Sequence, residues 1–173
     1  MRKMNARRIA FLALFTALSM ILSYVETLLP FTGFLPGFKV GLGNLVTVFL
    51  LYRFRAVEAF AVTLIRVILL GILFGNAYGM AFSFAGFLLS FIVMAVLRKT
   101  GKFKTVTVSV AGGVLHNLAQ IGVACALLGV KEIAYYAAPL TVIGAVSGAL
   151  IGVVAAILVK RIPISFDGPE EKE

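Results

Sequence analysis

The chain has 173 residues, of which 61% are hydrophobic and 13% charged, with a net charge of +9 and a mean hydropathy of +1.07. Soluble domains are about 45–50% apolar and about 25% charged, so this composition excludes a soluble enzyme and reads as an all-α integral membrane protein. Nucleic-acid binding is excluded too, because the basic residues stand in short clusters between apolar runs and leave no basic surface of useful area.

The N-terminus carries Arg2, Lys3, Arg7 and Arg8 before an apolar run that reaches about Leu29. A signal peptide would be shorter, so the run reads as a retained first helix, residues 7–27. Ala10, Ala13 and Ala17 form a small-residue stripe along it with an Ala-x-x-x-Ala spacing. Small residues let helices approach closely, either within the bundle or against another membrane subunit. Pro30 to Gly43 then breaks helix with prolines and glycines while staying apolar through Phe31, Phe34, Leu35 and Phe38. That pattern predicts a structured re-entrant loop or lid on the outer side.

Helix 2, residues 42–52, is short for a crossing and carries Asn44 and Thr47. Arg53 and Arg55 make an inside turn beside Glu58. Helix 3, residues 56–74, has Arg66 near its middle, where an arginine costs about 2.5–3.5 kcal/mol and needs a partner or a wet cavity. Asn76 lies in the uncharged outer turn Gly75 to Gly79 that follows. Helix 4 covers residues 80–97, and Arg98, Lys99, Lys102 and Lys104 form the strongest basic cluster.

Helix 5, residues 106–128, is the most informative. It is apolar enough to cross a bilayer yet holds His116, Asn117 and Gln120, which fall along one helix face. Polar groups at that depth should face protein or a water-filled cavity. Gly129 to Tyr136 reads as an outer connection. Helix 6, residues 137–159, is rich in glycine and alanine. The polar tail, residues 163–173, has the composition of a disordered segment. Cys125, the single cysteine, excludes an internal disulfide and reads as a small packing residue.

Six helices with both termini cytoplasmic place thirteen of the sixteen Lys and Arg residues inside, two (Lys39 and Lys131) outside, and Arg66 in the bundle. Every loop then obeys the positive-inside rule. The chain is read as one transmembrane domain, residues 1–162, of a multi-pass plasma-membrane protein. On this topology Asn44, Arg66, Asn76, His116, Asn117 and Gln120 converge on the outer half of the bundle, with Glu26 and Lys39 flanking the lid. Such a pocket suits a small amphipathic ligand, and Arg66 adds a preference for carboxylate or phosphate. The alternatives are structural: an ion pair of Arg66 with Glu26 or Glu58, and an interhelical hydrogen bond for His116.

Enzyme chemistry finds no footing in the residues. There is no phosphate loop for ATP, no aspartate cluster to hold magnesium (Asp167 in the tail is the only Asp), and no confident Ser–His–acid set. A lone His116 gives no metal site, and no cofactor is implied. Two inverted halves are also missing, which argues against a self-contained transporter.

The run GFKVGLGNLVTVFLLYRFRAVEAFAVTLIRVILLGILFGN, followed by SFAGFLLSFIVMAVLRK and VSVAGGVLHNLAQIGVA, resembles the Gx transporter family, also labelled heptaprenyl diphosphate synthase component I. The resemblance covers about residues 7 to 158 in order. That family is similar to the substrate-binding S components of energy-coupling factor (ECF) transporters. The resemblance implies a six-helix protein that captures a small nutrient, vitamin-like, flavin-like or an anionic isoprenoid, from outside. It implies as partners a transmembrane T subunit, docked on Ala13 and Ala17, and cytosolic ATPases, with the loop 31–43 as a gate. The second label implies a different partner, a soluble prenyl diphosphate synthase served by this chain as a membrane accessory subunit. The aspartate-rich motifs of prenyl synthases are missing here, so the chain is not expected to catalyse that reaction itself.

Overall fold

The computed structural model describes residues 6–28, 41–75 and 77–162. Most of the proline- and glycine-bearing lid, with Lys39, lies outside the described residues, as do Asn76 and the polar tail. Among the described residues the fold is all-helical. It comprises α1 (Ala6–Thr27), α2 (Leu42–Arg53), α3 (Ala56–Phe74), α4 (Ala77–Lys99), α5 (Thr105–Leu128) and α6 (Ala137–Arg161), with a 3-10 segment, Lys131–Tyr136, before α6. The connection after α5 thus carries helical structure of its own. α4 begins at Ala77, where the sequence analysis begins helix 4 at Met80. Gly79 falls in its first turn, where few intrahelical bonds depend on it.

Five helical segments are long and apolar enough to cross a membrane, which marks the chain as a multi-pass membrane protein. The exception is α2, whose 12 residues extend about 18 Å at 1.5 Å per residue, short of a hydrocarbon core of about 30 Å. Shortness goes with enclosure. Val46, Val48, Phe49, Leu50 and Leu51 are all buried, on every side of α2, as befits a helix that is hydrophobic all round.

Helices α2 to α6 touch in a closed ring, each against the next and α6 back against α2, while α1 packs outside on α2 and α3. Phe15 of α1 stacks on Phe49 and Phe54 with ring centroids 5.3 and 5.9 Å apart. Phe60, Phe87 and Phe91 join α3 to α4 in the same way. The α5–α6 seam is built differently. Gly144, Gly148 and Gly152 repeat every fourth residue, one face of α6. A Cβ added at Gly148 would lie 2.8 Å from the Ser109 carbonyl oxygen, and one at Gly152 would lie 2.8 Å from Val106 Cα. Gly113 and Gly144 likewise face each other's carbonyls. The two backbones are in direct contact, the close approach that small residues permit in membranes.

At the end of the bundle that carries the basic residues, polar ties fix the helix termini. Arg8 pairs with Glu58 at 2.8 Å, and Glu58 also accepts the Arg55 N–H at 3.0 Å. Arg53 donates to the Val159 carbonyl, and the Arg98 guanidinium lies 5.6 Å from the centroid of the Tyr52 ring.

Candidate functional site

A cavity of about 370 Å³ lies inside the bundle. All six helices contribute to its wall, but unequally. Ser23, Tyr24 and Glu26 come from the end of α1, Gly43, Asn44 and Val48 from α2, and Arg66, Val67 and Leu70 from α3. α4 supplies Met80, Ser83, Ser90 and Met94, α5 supplies Ser109, His116 and Asn117, and α6 supplies Ser147 and Ile151. Tyr24 and Phe74, stacked at 4.9 Å between centroids, bracket the end towards Gly41 and Gly75.

Arg66 dominates the chemistry. It is 5% exposed, donates to Asn44 Oδ1 at 3.0 Å and, through its other terminal nitrogen, to Ser19 Oγ at 3.4 Å. Ser19 in turn donates to the Gly43 carbonyl at 3.2 Å. Gly43 makes this possible: a Cβ there would collide with the Arg66 guanidinium and with Ser23 Oγ. The remaining guanidinium donor, Nε, has no hydrogen-bond partner among the described residues. That nitrogen is itself buried, while the Arg66 side chain contributes to the cavity wall.

Neither carboxylate weighed as an ion-pair partner for Arg66 fills that place. Glu58 is engaged by Arg8 at the far end of α3. Glu26 accepts the N–H groups of Gly41 at 2.6 Å and Leu42 at 3.0 Å, a carboxylate seated at the positive end of α2. Among the described residues it makes no hydrogen bond or ion pair with Arg66.

Across the cavity, His116 stands against Gly86, where a Cβ would come within 2.8–2.9 Å of the imidazole. A larger residue at position 86 would push the ring away. Asn117 is buried, lines the cavity and donates from Nδ2 to the Leu140 carbonyl at 2.8 Å, so it also ties α5 to α6. Asn44, Arg66, His116 and Asn117 are therefore brought to one cavity. Gln120 is not. It lies half-buried one turn beyond the last α5 residues of the cavity wall, because that wall runs from Ser109 to Asn117. Asn76 lies outside the described residues.

Serines also line the site, a feature that does not stand out in the sequence. Ser19 and Ser23 are four apart on an otherwise apolar helix, a spacing that puts both on one face and that marks them in retrospect. Ser90, Ser109 and Ser147 line the deeper part of the cavity from three different helices. The alanines of α1 do not share this interior. Ala10, Ala13 and Ala17 are exposed, so among the described residues no other helix covers the stripe.

Comparison with protein-family models matches residues 15–158, more than four-fifths of the chain, to a family described as heptaprenyl diphosphate synthase component I. No curated protein and no solved structure matches the chain.

Proposed function

Because this chain belongs to the heptaprenyl diphosphate synthase component I family, we propose that it is a membrane binding component and not itself an enzyme. Its cavity captures a small molecule from the outer side. The reading is that of an S-component-like protein whose ligand, vitamin-like, flavin-like or anionic isoprenoid-like, is taken up by partner T and ATPase subunits. One observation carries it: a cavity of about 370 Å³, within the size range of small-molecule sites, with a buried arginine on its wall whose hydrogen bonds go to neutral acceptors. Asn44, Arg66, His116 and Asn117 hold the ligand, and the serines supply further hydrogen bonds.

The topology that goes with this function has six crossings and both termini inside. α2, with the segment before it, completes the shortest crossing. The basic ends of the helices then face the cytoplasm, and the cavity opens near Gly41 and Gly75 on the outer side. Exposed Ala13 and Ala17 offer a close-packing face to the T subunit.

A second reading is favoured by the family's description: a membrane accessory subunit that works with a soluble prenyl diphosphate synthase. Native mass spectrometry of the full chain, purified gently from its membrane, separates the two. A retained small molecule, lost in Arg66→Ala and in His116→Ala while both variants unfold cooperatively, is the result expected. A chain that is empty and carries a soluble synthase instead overturns capture in favour of the accessory role.

A further inference from the structure

We propose that the cavity recognises a single anionic head, a carboxylate or its equivalent on a molecule of low net charge, and is not built for a diphosphate. This rests on the capture reading and narrows its ligand.

Charge balance in a confined space limits what the cavity can hold. Among the described residues, the groups of fixed charge on the wall are Arg66 and Glu26. The N-terminus of α2 adds roughly half a positive charge, but its first N–H groups are already taken by the Glu26 carboxylate. Arg66 is different. Its hydrogen bonds go to the neutral acceptors Asn44 and Ser19, so none of them offsets its charge. With the Glu26 charge partly met by the start of α2, the described wall has room for at most about one unit of negative charge, beside Arg66.

A carboxylate fits that vacancy, since a guanidinium pairs with it in a fork of N–H donors. A diphosphate brings further negative charges for which the described wall holds no second cation, and Glu26 repels each of them. In a low-dielectric interior an unpaired charge is far more costly than in water. The rest of the wall is serine, asparagine and apolar side chains, suited to hydroxyls, ring heteroatoms and hydrocarbon.

The test uses a head-group series on one short prenyl tail: geraniol, geranate and geranyl diphosphate. Binding to the full chain in detergent is measured at about pH 8, well above the ordinary carboxylate range, so that geranate is ionised. Geranate is expected to bind at least about tenfold more tightly than either of the others. Arg66→Gln should bring the three within about threefold of one another, while Arg66→Lys keeps the order. Glu26→Gln should improve geranyl diphosphate by about tenfold or more, because the repelling charge is gone. Lys39→Ala is carried alongside.

Geranyl diphosphate binding tightest to the unaltered chain, with or without dependence on Lys39, overturns the proposal. So does an order that Arg66→Gln leaves unchanged. If none of the three binds, the molecule retained in native mass spectrometry decides: a singly anionic one supports the inference, and a polyphosphate overturns it while leaving capture intact. No binding and no retained molecule overturns capture itself, and this inference with it.

Discussion

At the scale of single residues, the site depends as much on missing side chains as on present ones. Gly43 and Gly86 hold open the places occupied by Arg66 and His116. Gly43→Ala should displace the guanidinium, cost about 1–3 kcal/mol as overpacking does, and abolish ligand binding. Gly122→Ala is the control, since an added Cβ there meets nothing within 4 Å. It should leave binding intact and the thermal midpoint equal or higher. Equal behaviour of the two variants in thermal unfolding and ligand binding would remove Gly43 from the account of the site. This dependence was only half legible in the sequence. Arg66 and the polar face of helix 5 stand out because polar groups in apolar runs are costly. The partners of Arg66 do not, since Glu26 and Glu58 look equally suitable by depth, and only the packed structure commits one to the start of α2 and the other to Arg8. Serines are too common in membrane helices to announce themselves one at a time.

At the scale of elements, the helices form two kinds of contact, and these should fail differently. The α5–α6 seam is backbone against backbone, so Gly148→Ala has no flexible neighbour to yield and should destabilise by about 1–3 kcal/mol. Gly148→Leu should prevent the helices from docking. For Gly112→Ala the three nearest atoms all belong to the Met94 side chain, which is flexible, so it should cost less than Gly148→Ala. Unfolding of the three variants in the same detergent gives the ranking; a milder effect for Gly148→Ala than for Gly112→Ala would contradict a backbone seam. At the basic end, Glu58→Gln breaks a pair whose members are 10% and 18% exposed. Its cost should fall between the roughly 1 kcal/mol of a surface pair and the roughly 3–5 kcal/mol of a buried one. The extent of α3 was legible because an apolar run between a charged turn and Gly75 leaves little choice. The enclosure of α2 within the ring was not, because a short apolar helix has the same sequence whether it is enclosed or at the margin.

At the scale of the whole molecule, α1 poses the remaining question. It packs on α2 and α3 from outside the ring, and Leu14 and Ile21 are exposed together with Ala13 and Ala17. Exposed leucine and isoleucine need no partner but lipid, and other helices show them as well. Exposed alanines at every fourth position are another matter, since lipid gains little from small residues whereas a facing helix gains close contact. If this face docks a partner, Ala13→Leu with Ala17→Leu should fill the space needed by the incoming helix. The double variant should then keep its retained ligand and its thermal midpoint, because neither residue lines the cavity or packs inside the chain. Assembly should be lost, read as the disappearance of co-purifying membrane and ATPase subunits. Retention of both ligand and partners would show that lipid alone covers this face and that partners dock elsewhere. Loss of the ligand together with the partners would mean that α1 shapes the cavity, through the same helix end that brings Ser23 and Glu26 to its wall, and capture and docking would then share one element.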